Sequence, residues 1–237
     1  MTYTLSILRH ERGREHGFWQ DFTYEPASSG DTVATALTAI NARSPLLDAS
    51  GNPARPVTWE CSCLQKKCGA CAMVIGGRPQ LACNARLSGQ KGSTIRVEPL
   101  RKFPVVEDLM VDRTILYENL KTIGLWLRED ADLVDRDRAL AYEASGCIQC
   151  GCCLEVCPNF YAGGSFYGMA AVPVTTRLLT EMDRKACHDM ICQYAKHFYA
   201  GCGKSLACRD VCPRGIDTEK MLVNANALAI WKKKRGN

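Results

Sequence analysis

The stretch CIQCGCCLEVCP, residues 147–158, spaces Cys147, Cys150, Cys153 and Cys157 as C-x2-C-x2-C-x3-C, with Pro158 directly after the last thiol. That is the bacterial iron–sulfur spacing, in which the first three cysteines hold one cluster and the fourth ligates another. The run therefore needs a second one like it. CGKSLACRDVCP, residues 202–213, supplies Cys202, Cys208 and Cys212, followed by Pro213. By the exchange rule, Cys147, Cys150 and Cys153 are joined by Cys212 to hold a 4Fe-4S cluster, while Cys157 joins Cys202 and Cys208. Aligned on the first run, the second carries Ser205 where a cysteine is expected. A serine hydroxyl is a far weaker iron ligand than a thiolate, so the spacing predicts a 3Fe-4S cluster at this third site, with a Ser205-ligated 4Fe-4S cluster as the alternative.

Upstream, CLQKKCGAC gives Cys63, Cys68 and Cys71 as C-x4-C-x2-C, and Cys83 follows after eleven further residues. This is the plant-type 2Fe-2S spacing. The loop must wrap a compact cluster with its N–H groups turned to the sulfurs, which suits small residues such as Gly69 and Ala70. A zinc ribbon pairs two C-x2-C knuckles, and the x4 gap does not fit that geometry. Cys61 makes a C-x-C pair with Cys63, but only Cys63 gives the x4 gap, so Cys61 is read as a neighbouring thiol. Four, four and three ligands use eleven of the 15 cysteines and leave Cys61, Cys152, Cys187 and Cys192 without a ligand role. Cys187 and Cys192 are expected to be buried thiols in a helical region.

The remaining composition fits that reading. Fifteen is an odd number of cysteines, and thiols of the cytosol are kept reduced, so metal ligation explains them better than a disulfide framework. A hydrophobic content of 46% and a mean hydropathy of −0.16 describe a folded soluble chain. No run approaches the roughly 18 apolar residues of a spanning helix, and the start, MTYTLSILRHERGR, lacks a signal-peptide pattern, so the cytoplasm is the expected compartment. The formal net charge is +5, and three oxidised clusters at about −2 each with their thiolates bring the loaded chain to roughly −1. The basic excess thus offsets the clusters. The compact basic run Lys232-Lys233-Lys234-Arg235 is read as a solvated tail, with contact to anionic lipid heads as a second reading, and no nucleic-acid partner is expected.

Along the chain, Tyr3, Leu5 and Ile7 alternate, and Phe18 to Tyr24 forms a second aromatic-bearing segment after the charged turn ERGREHG, which together predict an opening hairpin. Asp31 is positioned to cap a helix through Val33, Ala36, Leu37 and Ile40, broken before Pro45 and the GNPARP loop. Ala72 to Ile75 and Gln80 to Ala82 flank a Gly76-Gly77 turn, and Thr94 to Val97 supplies a last strand. A small mixed sheet with one helix is expected. From Val105 the period becomes helical, with Leu109, Ile115, Leu116, Leu120, Ile123 and Leu127 marking one region and Leu133 to Tyr142 continuing it. The predicted fold class is α+β, with domains at 1–104 and 105–237.

This combination resembles the iron–sulfur subunit of the succinate dehydrogenase and fumarate reductase family, over nearly the whole chain, and CGACAMVIGGRPQLAC in particular resembles the family's 2Fe-2S segment. The resemblance implies a β-grasp plant-type ferredoxin domain followed by a mainly helical, bacterial-ferredoxin-like domain. It places Cys63, Cys68, Cys71 and Cys83 on the first cluster, Cys147, Cys150, Cys153 and Cys212 on the second, and Cys157, Cys202 and Cys208 on the third. It also implies that single electrons pass between the FAD of a partner flavoprotein, where succinate and fumarate interconvert, and a quinone at a cytochrome b-like membrane-anchor subunit. The expected order is flavin, 2Fe-2S, 4Fe-4S, 3Fe-4S, quinone, or the reverse. On this reading the chain lies peripherally on the cytoplasmic face of the cell membrane through its partners. No catalytic residue is expected on the chain itself: it has no nucleotide-binding glycine fingerprint, and His10, His16, His188 and His197 fall in no acid–base constellation.

Many members of that family carry a tryptophan shortly after the proline of the first run and a histidine just after the first cysteine of the last. Here those stretches read Pro158-Asn159-Phe160-Tyr161 and Cys202-Gly203, so quinone contacts by those two side chains do not transfer. Tyr161 and Phe160 are the aromatic alternatives, with a core role the commoner use of such residues. Two other functions fit the clusters: a subunit of a thiol- or disulfide-linked reductase, which would typically add a cysteine-rich CCG-type domain, and a free-standing ferredoxin-like carrier, which would be smaller. The heavy use of thiols tilts the expected direction toward fumarate reduction.

Overall fold

The computed structural model describes residues 1–11, 16–128, 130 and 135–231. Most of the charged turn after Arg9, Leu133 and the basic run 232–235 lie outside the described residues. The chain divides into two units, Met1–Asp112 and Arg113 onward.

In the first unit, strands β1 (Tyr3–Arg9) and β2 (Phe18–Tyr24) form the expected antiparallel hairpin, with Tyr3 opposite Tyr24 and Arg9 opposite Phe18. Alternation along β1 buries Tyr3, Leu5, Ile7 and also Arg9. Helix α1 (Val33–Asn41) puts Val33, Ala36, Leu37 and Ile40 on one buried face, the i, i+3, i+4, i+7 stripe of a core-facing helix. Its N-cap is Thr32, which forms a capping box with Thr35. Asp31, expected as the cap, instead turns back to accept from the Tyr24 hydroxyl, the Ala27 N–H and the Ser28 hydroxyl. Those three donors satisfy its carboxylate, and the cap passes to the next residue.

Strands β3 (Ala72–Ile75) and β4 (Arg78–Leu81) meet through Gly76-Gly77, both at positive φ, as a two-residue hairpin turn requires. Strand β5 (Thr94–Glu98) runs parallel to β1 and antiparallel to β3, so the sheet order is β2-β1-β5-β3-β4. Residues expected to begin a helical region form a short ribbon, β6 (Val105–Glu107) and β7 (Met110–Val111), within the first unit. The expected boundary at 104 falls short of this division because Asp108, in the ribbon's turn at φ 45, is bound to Arg9 in β1.

The second unit is helical: α2 (Thr114–Ile123), α3 (Asp135–Ser145), α4 (Cys152–Glu155), α5 (Ala171–Glu181), α6 (His188–Tyr194), a π-helical turn at Ala195–Tyr199, and α7 (Thr218–Ala229). Gly124, in the left-handed region, ends α2 by donating to Leu120 and Lys121 carbonyls, so Leu127 lies beyond the helix and is exposed. Val172, Leu178, Met190, Tyr194, Met221 and Ala225 form its core. Cys187 is buried in that core, as expected. Cys192 is not: it is exposed, because Met190, Ile191 and Tyr194 take the inward face of α6.

Candidate iron–sulfur sites

The loop from Val57 to Cys71 carries the first thiol group. Leu64, Lys66 and Gly69 all have positive φ, and this winding turns successive N–H groups inward. Gln65 and Lys67 donate to Cys63 Sγ and Lys66 donates to Cys83 Sγ, each at 3.3 Å. Such bonds favour the charged thiolate, and those from Gln65 and Lys67 bring the Cys63 thiol down to about 7. Burial pushes Cys71 up to about 12, with Cys83 and Cys68 adjoining it. Cys83 is held by the sheet and α1: Ala82 donates to the Cys71 carbonyl, and Ala34 at the start of α1 donates to that of Ala82. The amide donors of this loop address Cys63, the member of the C-x-C pair that gives the x4 gap, while Cys61 is exposed.

In the second unit two cavities collect the other predicted thiols. One, with an empty volume of about 330 Å³ including its solvent-open part, is lined by Cys147, Cys150, Cys153 and Cys212. Gly151, at φ 86, breaks the chain between Cys150 and α4 so that Cys153 faces the same space from the helix. Cys147 is pushed up to about 11 by burial, with Cys150 and Cys212 beside it. Cys150 is brought down to about 7, chiefly by its hydrogen bond from Cys152, with Arg113 contributing. Cys152 itself is fully buried, its thiol raised by that bond and by burial, and it is not among the residues lining the cavity.

The other cavity, with about 400 Å³ of empty volume, is lined by Cys157, Cys202 and Cys208 together with Ser205. Lys204 and Leu206 both have positive φ and bend the loop around it. Cys202 hangs from the end of the π-helical turn through its N–H to the Phe198 carbonyl, and Phe198 stacks on Tyr194 at 5.1 Å and Phe166 at 5.6 Å. Burial raises the Cys208 thiol, with Cys157 and Cys202 adding to it.

In the second unit the fold brings Cys147, Cys150, Cys153 and Cys212 to one cavity and Cys157, Cys202 and Cys208 to the other. Among the described residues no three His, Cys, Asp or Glu side chains are arranged to hold a single metal ion; the thiols of the second unit stand round cavities instead. Soft thiolate donors round a space of this size fit an iron–sulfur cluster. A second fit lies in the Gln149 amide, whose Nε2 donates to Cys147 Sγ at 3.2 Å. Gln149 sits inside the C-x2-C interval, where the sequence itself marks it. Of the aromatic alternatives, Phe160 is buried and Tyr161 exposed. His197 stacks on Tyr167 with ring centroids 4.3 Å apart and its Nδ1 lies 2.9 Å from the Ser165 carbonyl.

A mixed sheet with one helix, a helical second unit and thiols arranged in this way define an iron–sulfur electron-transfer protein. The family profile described as a 2Fe-2S iron-sulfur cluster binding domain matches residues 4–118. The chain is 36% identical to the succinate dehydrogenase iron-sulfur subunit of Bacillus subtilis, over 91% of its own length and 87% of the relative's. It is 30% identical to the fumarate reductase iron-sulfur subunit of Escherichia coli O6:H1, over 75% and 78% respectively. Its fold matches a chain of the Mycobacterium smegmatis Sdh1 complex with a TM-score of 0.75, at 23% identity, covering 98% of this chain and 97% of that one. The chain belongs to the family of succinate dehydrogenase and fumarate reductase iron–sulfur subunits, and so is a component of an oxidoreductase.

Proposed function

We propose that this chain relays single electrons between the FAD of a partner flavoprotein that interconverts succinate and fumarate and a quinone at a membrane-anchor subunit. The observation that carries the reading is the crossed gathering of Cys147, Cys150, Cys153 and Cys212 on one cavity and Cys157, Cys202 and Cys208, with Ser205, on the other. On this reading the first unit is a β-grasp plant-type ferredoxin domain whose Cys63, Cys68, Cys71 and Cys83 hold a 2Fe-2S cluster. The second is a bacterial-ferredoxin-like domain in which the four thiols hold a 4Fe-4S cluster and the three hold a 3Fe-4S cluster. When bound, such clusters supply one-electron transfer without substrate chemistry on the chain.

The chain's own part is to hold and to tune. Backbone N–H groups of residues 65–67 and the side chain of Gln149 place positive hydrogen-bond character on ligand thiols, which steadies the added charge of the reduced form. Phe166, Phe198 and Met169 keep water from the third site and lower its dielectric. No helix among the described residues is long and apolar enough to cross a membrane. Attachment to a membrane is accordingly assigned to the partner subunits.

The test is low-temperature EPR of the protein purified with whatever subunits accompany it, with iron counted. The expected result is a near-isotropic signal near a g of about 2 in the oxidised sample that vanishes on reduction, with about nine irons per chain and a flavoprotein co-purifying. A sample silent there, with about ten irons, would overturn the 3Fe-4S assignment and redirect the search for the electron partner.

A further inference from the structure

A buried polar atom without a partner costs free energy, and native structures keep few of them without a reason. Among the described residues Gln149 Oε1 is one such atom, on a side chain that lines the first thiol cavity. Gln149 has its Nε2 at 3.0 Å from the Ala170 carbonyl and 3.2 Å from Cys147 Sγ. A backbone carbonyl only accepts, so the atom facing it is the amide nitrogen, and its second proton is left for the sulfur. The backbone N–H of the same residue also donates to Cys147. The amide oxygen is left buried and unsatisfied by this choice of face.

We propose that Gln149 is a potential-setting donor: its side-chain amide raises the reduction potential of the cluster held by Cys147. An electron added to a cluster increases the negative charge on its sulfurs, and a hydrogen bond to a ligand sulfur strengthens as that charge grows. The proton stays on its nitrogen throughout, so only the reduction equilibrium moves. Gln149 lines the first cavity and is not among the residues of the second, so its effect is confined to one cluster. It is a positioning residue acting on a ligand thiol. The inference rests on the ligand sets proposed above.

The test is an EPR-monitored redox titration of the complex as purified, for Gln149→Leu and Gln149→Met, with iron counted in each. Loss of the amide in either Gln149 variant is expected to disfavour reduction of the 4Fe-4S cluster about tenfold, a shift of about 59 mV to more negative potential for one electron, with the 3Fe-4S potential unmoved. Unmoved potentials with full iron content would overturn the proposal, as would equal shifts at both clusters. Cluster loss in both Gln149 variants would mean a role in assembly and would also overturn it. Absence of the 4Fe-4S or 3Fe-4S signals from the unsubstituted protein would instead strike the ligand assignment.

Discussion

Arg9 and Asp108, ninety-nine positions apart, meet with both side chains wholly out of water, Nε to Oδ1 at 2.9 Å and Nη2 to Oδ2 at 3.0 Å. Arg9 also reaches Gln20 Oε1 and the carbonyls of Arg55 and Pro56, while Asp108 accepts from the N–H groups of His10 and Thr58. The pair thus ties β1, the start of the loop that carries the first thiols, and the ribbon at 105–111 into one body. Removing Arg9 leaves the buried Asp108 carboxylate with the half-exposed Arg55 guanidinium, 3.4 Å away, as counter-charge. Arg9→Met is expected to destabilise the first unit by about 3–5 kcal/mol, measured by urea denaturation followed by circular dichroism. The double variant Arg9→Met with Asp108→Asn should recover part of that loss, and a single variant of wild-type stability would refute the role given to the pair.

On the proposed ligand sets, Ser205 decides the composition of the third site. Ser205→Cys places a thiol on the cavity already lined by Cys157, Cys202 and Cys208, and the expected product is a fourth iron. The oxidised EPR signal near a g of about 2 should disappear and the iron count rise from about nine to about ten per chain. Persistence of the signal at full intensity would show that position 205 does not face the missing corner.

The crossing of the two runs has a distinct signature. Cys212→Ser is expected to alter the reduced 4Fe-4S spectrum and spare the 3Fe-4S signal, although Cys212 belongs in sequence to the run of Cys202 and Cys208. Cys157→Ser should do the opposite. If each substitution instead affected the cluster of its own run, the exchange read from the cavities would be wrong.

Asp31 sets an acid limb on stability. The hydroxyls of Tyr24 and Ser28 and the N–H of Ala27 hold its carboxyl below the ordinary 3.8. Because the folded value is the lower one, the contribution is complete above the unfolded value and is lost as pH falls through the folded one. The stability difference between wild type and Asp31→Asn, from urea titrations at several pH values, is therefore expected to hold steady above about pH 5 and to shrink below about pH 4. Taking the difference cancels whatever acid does to the clusters in both proteins. A difference independent of pH would contradict the hydrogen-bonded carboxylate.

Much of this arrangement is legible along the chain because it is local. The C-x4-C-x2-C and C-x2-C-x2-C-x3-C intervals fix which thiols share a loop, the alternation of Tyr3, Leu5 and Ile7 faces β1 inward, and the spacing of Val33, Ala36, Leu37 and Ile40 orients α1. Where the reading went astray, a non-local partner had intervened. Asp31 was drawn from the cap by Tyr24, and residues 105–111 were drawn into the first unit by Arg9, so neither follows the preference of its own segment. Leu127 continues the helical period, but Gly124 had already ended the helix. Cys192 was expected inside and faces water, since a seven-residue helix has room for only one buried face.

The sequence by itself determined the number and kind of thiol groups and the family they belong to, because a cysteine interval is a covalent distance that folding cannot change. Only the tertiary structure decided which distant groups stand beside those thiols. Gln149 acquires its place from Ala170 on another segment, and Arg113 comes beside Cys150 in the same way. Hydrogen bonds and charges act over a few ångströms of space whatever the separation along the chain, so the surroundings of the thiols exist only once the chain has closed on itself.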